Sequence, residues 1–193
     1  IIPDSVESIG NSAFLDCKSL ASLTIGNNVT SIGDYAFYNC TSLTSITIPD
    51  SVTSIGDYMF YECTSLTSVT IPDSVTSIGY RAFYGCYYLT SVTIGNSVTS
   101  IGESAFQDCG NLTAITIPDT VTSLGAGVFA SNFYLKEVMI GNGITNIPKQ
   151  AFASASSLQS ITIPANVIKN TPKSPSLRKD SNIFVGIDNT KDK

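Results

Sequence analysis

Apolar residues in this chain fall on a fixed grid. Isoleucine recurs as Ile2, Ile25, Ile48, Ile71, Ile94, Ile117, Ile140 and Ile163. Phenylalanine recurs as Phe14, Phe37, Phe60, Phe83, Phe106, Phe129 and Phe152, and leucine as Leu20, Leu43, Leu66, Leu89, Leu112, Leu135 and Leu158. The period is 23 residues without slippage, and the unit reads I-[PG]-x-x-V-x-x-I-G-x-x-A-F-x-x-C-x-x-L-x-x-I-x. Seven units run from Ile2 to Thr162, starting at Ile2, Ile25, Ile48, Ile71, Ile94, Ile117 and Ile140. An eighth begins at Ile163 and fails after Val167. One 23-residue unit cannot bury its own apolar set, whereas stacked units bury it against their neighbours, so the pattern predicts a solenoid.

Within the unit, the segment Leu66 to Ile71 (LTSVTI) is β-branched and alternating. It predicts a strand with Val69 and Ile71 inward and Ser68 and Thr70 outward, paired in parallel with the same segment of the next coil. The following Pro or Gly ends the strand, and Asp50, Asn27 or their counterparts are expected to close an Asx-turn there. The VTSI segment predicts a second, short extended piece. Ala36, Phe37 and Cys40 have the spacing of one helical turn facing inward. Strands roughly 4.8 Å apart would make seven coils about 34 Å long.

The motif resembles the BspA-type, or Treponema-type, leucine-rich repeat, which runs L-x-x-I-x-[IL]-P-x-x-[VL]-x-x-I-G-x-x-A-F-x-x-C. Residues 43–63 match it throughout except at Met59, and the resemblance covers about residues 2–167. It implies a right-handed leucine-rich-repeat superhelix, with one parallel β-strand per repeat on the concave side and short helical or extended turns opposite. It also implies a surface-displayed or secreted microbial protein, hence an extracellular or cell-surface location, with binding or adhesion as its role. Asn132 and Ala155 replace the motif's Cys, and Pro148 replaces its Gly, as terminal repeats often do.

Composition narrows the chemistry. The chain contains no His and no Trp, which removes Ser-His-Asp and Cys-His catalysis and most catalytic zinc sites. No Gly-rich phosphate loop occurs in a strand–loop–helix setting. The expectation is therefore no enzyme and no cofactor. Residues 1–163 hold 4 Lys/Arg against 12 Asp/Glu, while 164–193 hold 6 against 3. An acidic body is a poor match for phosphate backbones, so no nucleic-acid partner is expected. No apolar run approaches the roughly 18 residues of a membrane span. The chain opens at Ile1 on a repeat edge, so it is expected to be a fragment of a longer protein.

Cys17, Cys40, Cys63, Cys86 and Cys109 occupy one repeat position and should form an inward column of small apolar fillers. Parallel side chains on neighbouring coils have poor disulfide geometry, and a straight column does not converge on a metal. The column Asp4, Asn27, Asp50, Asp73, Asn96, Asp119 and Asn142 could suggest calcium, but Asn serves there as well as Asp, which suits turn closure. No metal site is therefore expected.

Two surfaces remain as binding candidates. Ile48–Thr70 and Ile71–Thr93 differ at only six positions, all between Gly56 and Leu66 or the equivalent arc of the next unit. Eight of nine tyrosines lie on that arc: Tyr35, Tyr38, Tyr58, Tyr61, Tyr80, Tyr84, Tyr87 and Tyr88. Tyr38, Tyr61 and Tyr84 should stack, with Tyr35 and Tyr58 on the same outward face, rimmed by Asp34, Asp57 and Glu62. Tyrosine is enriched at binding surfaces, but the same rings could simply cover the flank of the core. The other candidate is the pair of outward hydroxyl rows on the strands, Ser22/Thr24, Ser45/Thr47, Ser68/Thr70, Ser91/Thr93 and Ser160/Thr162, interrupted at Ala114, Glu137 and Met139. Threonine is an ordinary strand surface residue, and the rows could also present regular hydrogen bonds to a glycan. The expected partner is a protein, with a glycan or a pure spacer role as alternatives, and the oligomeric state is left open. Residues 168–193 read as an irregular C-terminal segment: 169–181 has linker composition, while Asn182–Ile187 (NIFVGI) could add a last strand capping the open sheet edge or begin another domain, and the cap is favoured.

Overall fold

The computed structural model describes residues 1–164, Val167 and the backbone of 184–188; the linker composition read at 169–181 lies outside the described residues. The chain winds into about seven stacked coils. One row of short strands is β1 (Ser8–Ile9), β3 (Ser31–Ile32), β5 (Ser54–Ile55), β7 (Ser77–Ile78), β9 (Ser100–Ile101) and β11 (Ser123–Leu124). A second row is β2 (Ser22–Leu23), β4 (Ser45–Ile46), β6 (Ser68–Ile71), β8 (Ser91–Ile94), β10 (Ala114–Ile117), β12 (Glu137–Ile140) and β13 (Ser160–Pro164). Pairing is parallel and in register with the repeat, as in Ser68↔Ser91 and Ile71↔Ile94. A last strand, β14 (Phe184–Asp188), pairs in parallel with β13, with Ser160 opposite Phe184. Alternation follows the sequence: in β6, Val69 and Ile71 are buried while Ser68 and Thr70 are exposed.

The third side of each coil departs from the expected helical turn. Ala36, Phe37 and Cys40 are fully buried, as the spacing predicts, but the segment is a run of tight turns. Two residues per coil take the left-handed conformation, for example Tyr35 (φ 58°) with Asn39 (φ 56°) and Tyr58 (φ 54°) with Glu62 (φ 53°). That conformation is uncommon outside Gly and costs on the order of 1 kcal/mol each. Its effect is to aim N–H groups along the stack. Phe37 N–H donates to Met59 O at 2.9 Å, Phe60 N–H to Ala82 O at 2.7 Å and Phe83 N–H to Ala105 O at 2.8 Å. Tyr35, Asn39, Tyr58 and Glu62 donate to the next coil in the same way. A helix needs about 10 Å of width, whereas paired strands lie about 4.8 Å apart. Turns that bond sideways keep this side in step with the strands. Because all seven coils share the geometry, it belongs to the architecture and marks no particular site.

The core is a set of columns. Phe14, Phe37, Phe60, Phe83, Phe106, Phe129 and Phe152 form one ladder with ring centroids 5.1–5.7 Å apart and planes within 13° of parallel. Glycine is dictated where coils touch backbone to backbone. A Cβ on Gly102 would lie 2.6 Å from Gly79 C and O, and one on Gly95 would lie 2.6 Å from Pro72 C. The same repeat position in the first coil, Gly10, has nothing within 4 Å.

The cysteine column is more than apolar filling. Cys40 Sγ–H donates to Phe14 O at 3.1 Å, Cys63 to Phe37 O at 3.2 Å, Cys86 to Phe60 O at 3.2 Å and Cys109 to Phe83 O at 3.3 Å. Asn132, where the motif loses Cys, makes the same bond: its Nδ2 donates to Phe106 O at 3.1 Å. In the second to sixth coils the position thus holds a small buried donor, whereas half-buried Ala155 in the last coil has none. All five thiols are free. Burial pushes the Cys40 thiol up to about 11, and Cys63, Cys86 and Cys109 are raised by the same cause.

The expected Asx-turn is also different. Backbone closes the corner, as in Val52 N–H to Pro49 O at 3.0 Å. The Asp instead reaches the next coil: Asn27 N–H donates to Asp4 Oδ1 at 2.7 Å, Asn96 to Asp73 at 2.6 Å and Asn142 to Asp119 at 2.8 Å. A tight backbone turn leaves the side chain free, and the coil spacing brings an N–H to it.

Gly102→Ala should lower the unfolding free energy in urea by about 1–3 kcal/mol, as overpacking does. Gly10→Ala should change it by no more than about 0.5 kcal/mol, as at an open surface site. In thiol labelling at neutral pH, half-buried Cys17 should react first, and the other four only on unfolding. The unfolded chain releases thiol protons near about 8.5, whereas the folded chain holds them. Stability should therefore be complete below about pH 8.5 and fall as pH rises towards the folded Cys40 value of about 11, read by urea unfolding across that range.

Candidate functional site

The variable arc of the repeat lies on the turn side, just outside the phenylalanine ladder. A side chain placed there once per coil meets its copy one coil away. Tyr38 and Tyr61 stack at 4.7 Å and 2°, and Tyr61 and Tyr84 at 4.9 Å and 6°. A second row begins with Tyr35 and Tyr58 at 4.7 Å and 13°. Arg81 takes the next place in that row, and Tyr80, one residue earlier, turns its edge to Tyr58 at 5.1 Å and 77°. Tilted contacts join the rows, Tyr35–Tyr38 at 5.9 Å and Tyr58–Tyr61 at 5.6 Å. Six tyrosines from three coils therefore make one aromatic sheet. Tyr35 is 37% exposed and the other five are half-buried.

Charge surrounds this sheet. The Arg81 guanidinium lies 5.0 Å from the Tyr80 ring centroid and 5.3 Å from that of Tyr84, and its buried Nε has no hydrogen-bond acceptor among the described residues. One acidic column contains Asp34 and Asp57; Asp34 Oδ1 accepts Asp57 N–H at 2.8 Å and Asp57 Oδ1 accepts Tyr80 N–H at 2.7 Å. Glu103 follows in the same repeat position. The other column contains Asp16, Glu62 and Asp108. Burial, then Glu62 and Asp16, holds the Tyr38 phenol above its ordinary pKa. Burial and Glu62 do the same to Tyr61, and a hydrogen bond to Asp108 raises Tyr84.

Tyr87 and Tyr88 do not join the sheet. They lie at the next corner, 51% and 57% exposed, edge-on to each other with ring centroids 6.1 Å apart. Two periods later the same positions hold Phe133 and Tyr134, 43% and 57% exposed. That second pair was legible as a 46-residue offset but is obscured by Gly110 and Asn111 between the two pairs.

On the strand face, Ser22, Thr24, Ser45, Thr47, Ser68, Thr70, Ser91 and Thr93 are exposed in two rows, while Ser160 and Thr162 are half-buried. Other threonines are committed to the scaffold: Thr67 Oγ1 donates to Thr44 O at 3.2 Å and Thr90 Oγ1 to Thr67 O at 3.0 Å. A hollow of about 430 Å³ opens between β8 and β10, lined by Thr93, Asn96, Thr116 and Pro118 among others. Among the described residues, no three His, Cys, Asp or Glu side chains group so as to hold a metal ion, and no helix is long and apolar enough to cross a membrane.

The geometry can be set beside known proteins. The BspA type leucine rich repeat region model matches six copies over residues 1–86 and 53–174. The chain is similar to the crystal structure of a leucine rich repeat protein of T. pallidum, with 33% identity and a TM-score of 0.73, over 79% of this chain and 72% of that one. It is similar to a leucine rich cell surface protein of Faecalibacterium prausnitzii, with 30% identity and a TM-score of 0.56, over 84% of this chain and 60% of that one. The pneumococcal vaccine antigen PcpA shares the fold at 22% identity and a TM-score of 0.53, over 84% of this chain and 55% of that one. A comparison with the curated proteins finds no match. The repeat motif, the stacked parallel coils and these likenesses agree, and the chain belongs to the BspA-type leucine-rich-repeat family.

Proposed function

We propose that this chain is a non-catalytic binding module of a microbial surface or secreted protein, and that it contacts a protein partner through the tyrosine sheet, in adhesion to host or neighbouring cells. The observation that carries this reading is a comparison between coils. In the fifth and sixth coils the sheet's two columns hold Ser104, Gln107, Gly127 and Ala130, yet Phe106 and Phe129 beneath them remain fully buried. Tyrosine is therefore not needed to seal the core. Six adjoining rings offer amphipathic area at low entropic cost, on a backbone already fixed by the coils. The likeness to a cell-surface protein of Faecalibacterium prausnitzii supports the location.

A second reading places a glycan on the strand face. It is favoured by the exposed hydroxyl rows, whose side chains no coil-to-coil bond uses among the described residues, beside the hollow between β8 and β10. A spacer role would leave both faces idle. We also propose that residues 168–193 cap the stack, a reading supported by the parallel pairing of β14 on β13.

The test is a binding screen against extracellular-matrix and cell-surface proteins, run beside Tyr38→Ser/Tyr61→Ser/Tyr84→Ser after circular dichroism shows that the variant is folded. The expected result is a partner retained by the parent chain and weakened at least tenfold in the variant. Equal binding by both would overturn the tyrosine assignment and shift it to the strand face.

A further inference from the structure

We infer that the partner of the tyrosine sheet is a basic segment, whose arginine or lysine side chains lie over the rings and between the two acidic columns; this rests on the reading above. Three observations carry it. The first is charge: six carboxylates, Asp34, Asp57, Glu103, Asp16, Glu62 and Asp108, occupy the two columns flanking the rings, against Arg81 among the rings and Lys149 two coils beyond Glu103 in the same column. Asp34 and Asp57 each spend one oxygen on a backbone N–H and leave the second without a partner among the described residues. Residues 1–163 as a whole hold 12 Asp/Glu against 4 Lys/Arg, so a cationic segment is also steered towards this body from a distance.

The second observation is ring chemistry. The face of a tyrosine ring is the negative end of its quadrupole and attracts a cation held within about 6 Å. The third is that the sheet already seats such a group. Arg81 rests over Tyr80 and Tyr84 at 5.0 and 5.3 Å, so the surface accommodates a guanidinium in the geometry an incoming arginine would need. Arg81 occupies only the end of the sheet, and Tyr35, Tyr38, Tyr58 and Tyr61 have no cation over them among the described residues. An anionic partner would have to approach through both carboxylate columns, and a neutral apolar one would desolvate them without compensation.

The experiment uses the whole chain and two labelled peptides of equal length, one alternating arginine with serine and one alternating glutamate with serine, followed by fluorescence anisotropy at two salt concentrations. The arginine peptide should bind, weaken with salt and outcompete the glutamate peptide. Glu62→Gln/Asp108→Asn should weaken it roughly threefold to tenfold, in line with two half-buried charge contacts at a surface. Tyr38→Ser/Tyr61→Ser/Tyr84→Ser should abolish it. Arg81→Ala should tighten it, because a competing cation is removed from two rings. Weaker binding in Arg81→Ala, or preference for the glutamate peptide, would overturn the inference. So would arginine-peptide binding that the tyrosine variant retains, since that is charge attraction without the rings. If a protein partner from the screen depends on the tyrosines while the arginine peptide fails to bind, the basic-segment inference falls and the tyrosine reading stands. If neither depends on the tyrosines, both fall.

Discussion

Everything in this molecule depends on hydrogen bonds between backbone groups one coil apart, 22 to 24 residues along the chain. The strand rows pair coil to coil in runs (β1-β3 and β5-β7-β9-β11 in one row, β2-β4, β6-β8 and β10-β12-β13-β14 in the other), and the turn side bonds coil to coil through Phe37 to Met59, Phe60 to Ala82 and their copies. Side chains extend the same principle inward and outward: cysteine thiols bond to phenylalanine carbonyls, aspartates to backbone N–H groups, and threonines to carbonyls of the preceding coil. Each bond contributes only about 1 kcal/mol net, but an unmade one in the interior costs more, so a coil is stable only against a neighbour that matches it. This is why the sequence repeats without slippage. One inserted residue would turn every following donor away from its acceptor.

The same constraint decides where variation is allowed. Inward positions are fixed by the columns they fill, and close-contact glycines such as Gly102 by the coil beneath. Outward positions on the turn side carry no such duty, and five of the six differences between two nearly identical repeats fall there; the sixth exchanges buried Met59 for buried Ala82. The coil spacing then converts repetition into order. Tyrosines 23 residues apart have ring centroids 4.7–4.9 Å apart, with no further feature needed to align them. Arg81 interrupts one row and turns Tyr80 edge-on, so the sheet has a defined end at the fourth coil.

Much of the fold was legible because periodicity reports side chains on a shared spatial row. The strand rows, the buried Phe and Cys columns and the stacking of Tyr38, Tyr61 and Tyr84 all follow from spacing alone. What spacing could not reveal is backbone conformation. Ala36, Phe37 and Cys40 have an inward pattern that a helical turn and a left-handed turn share, and only the need to bond sideways separates them. Chemistry at an unchanging spacing was equally hidden. Asn132 reads as a lapse from the motif, yet it supplies the donor that cysteine supplies elsewhere. On the candidate surface, the six-ring sheet was largely readable, whereas the separation of Tyr87 and Tyr88 from it, and their likeness to Phe133 and Tyr134, depend on where the coil turns its corner.

Native-state amide hydrogen exchange reads the bonding of individual N–H groups and so separates a bonded turn side from a loose one. The amides of Phe37, Phe60, Phe83 and Phe106 should exchange as slowly as the strand amides of the same coils, with protection highest in the middle coils and falling towards Ile1. Fast, loop-like exchange at these four amides beside protected strands would contradict this, for the turn side would then be a covering and not a third bonded wall.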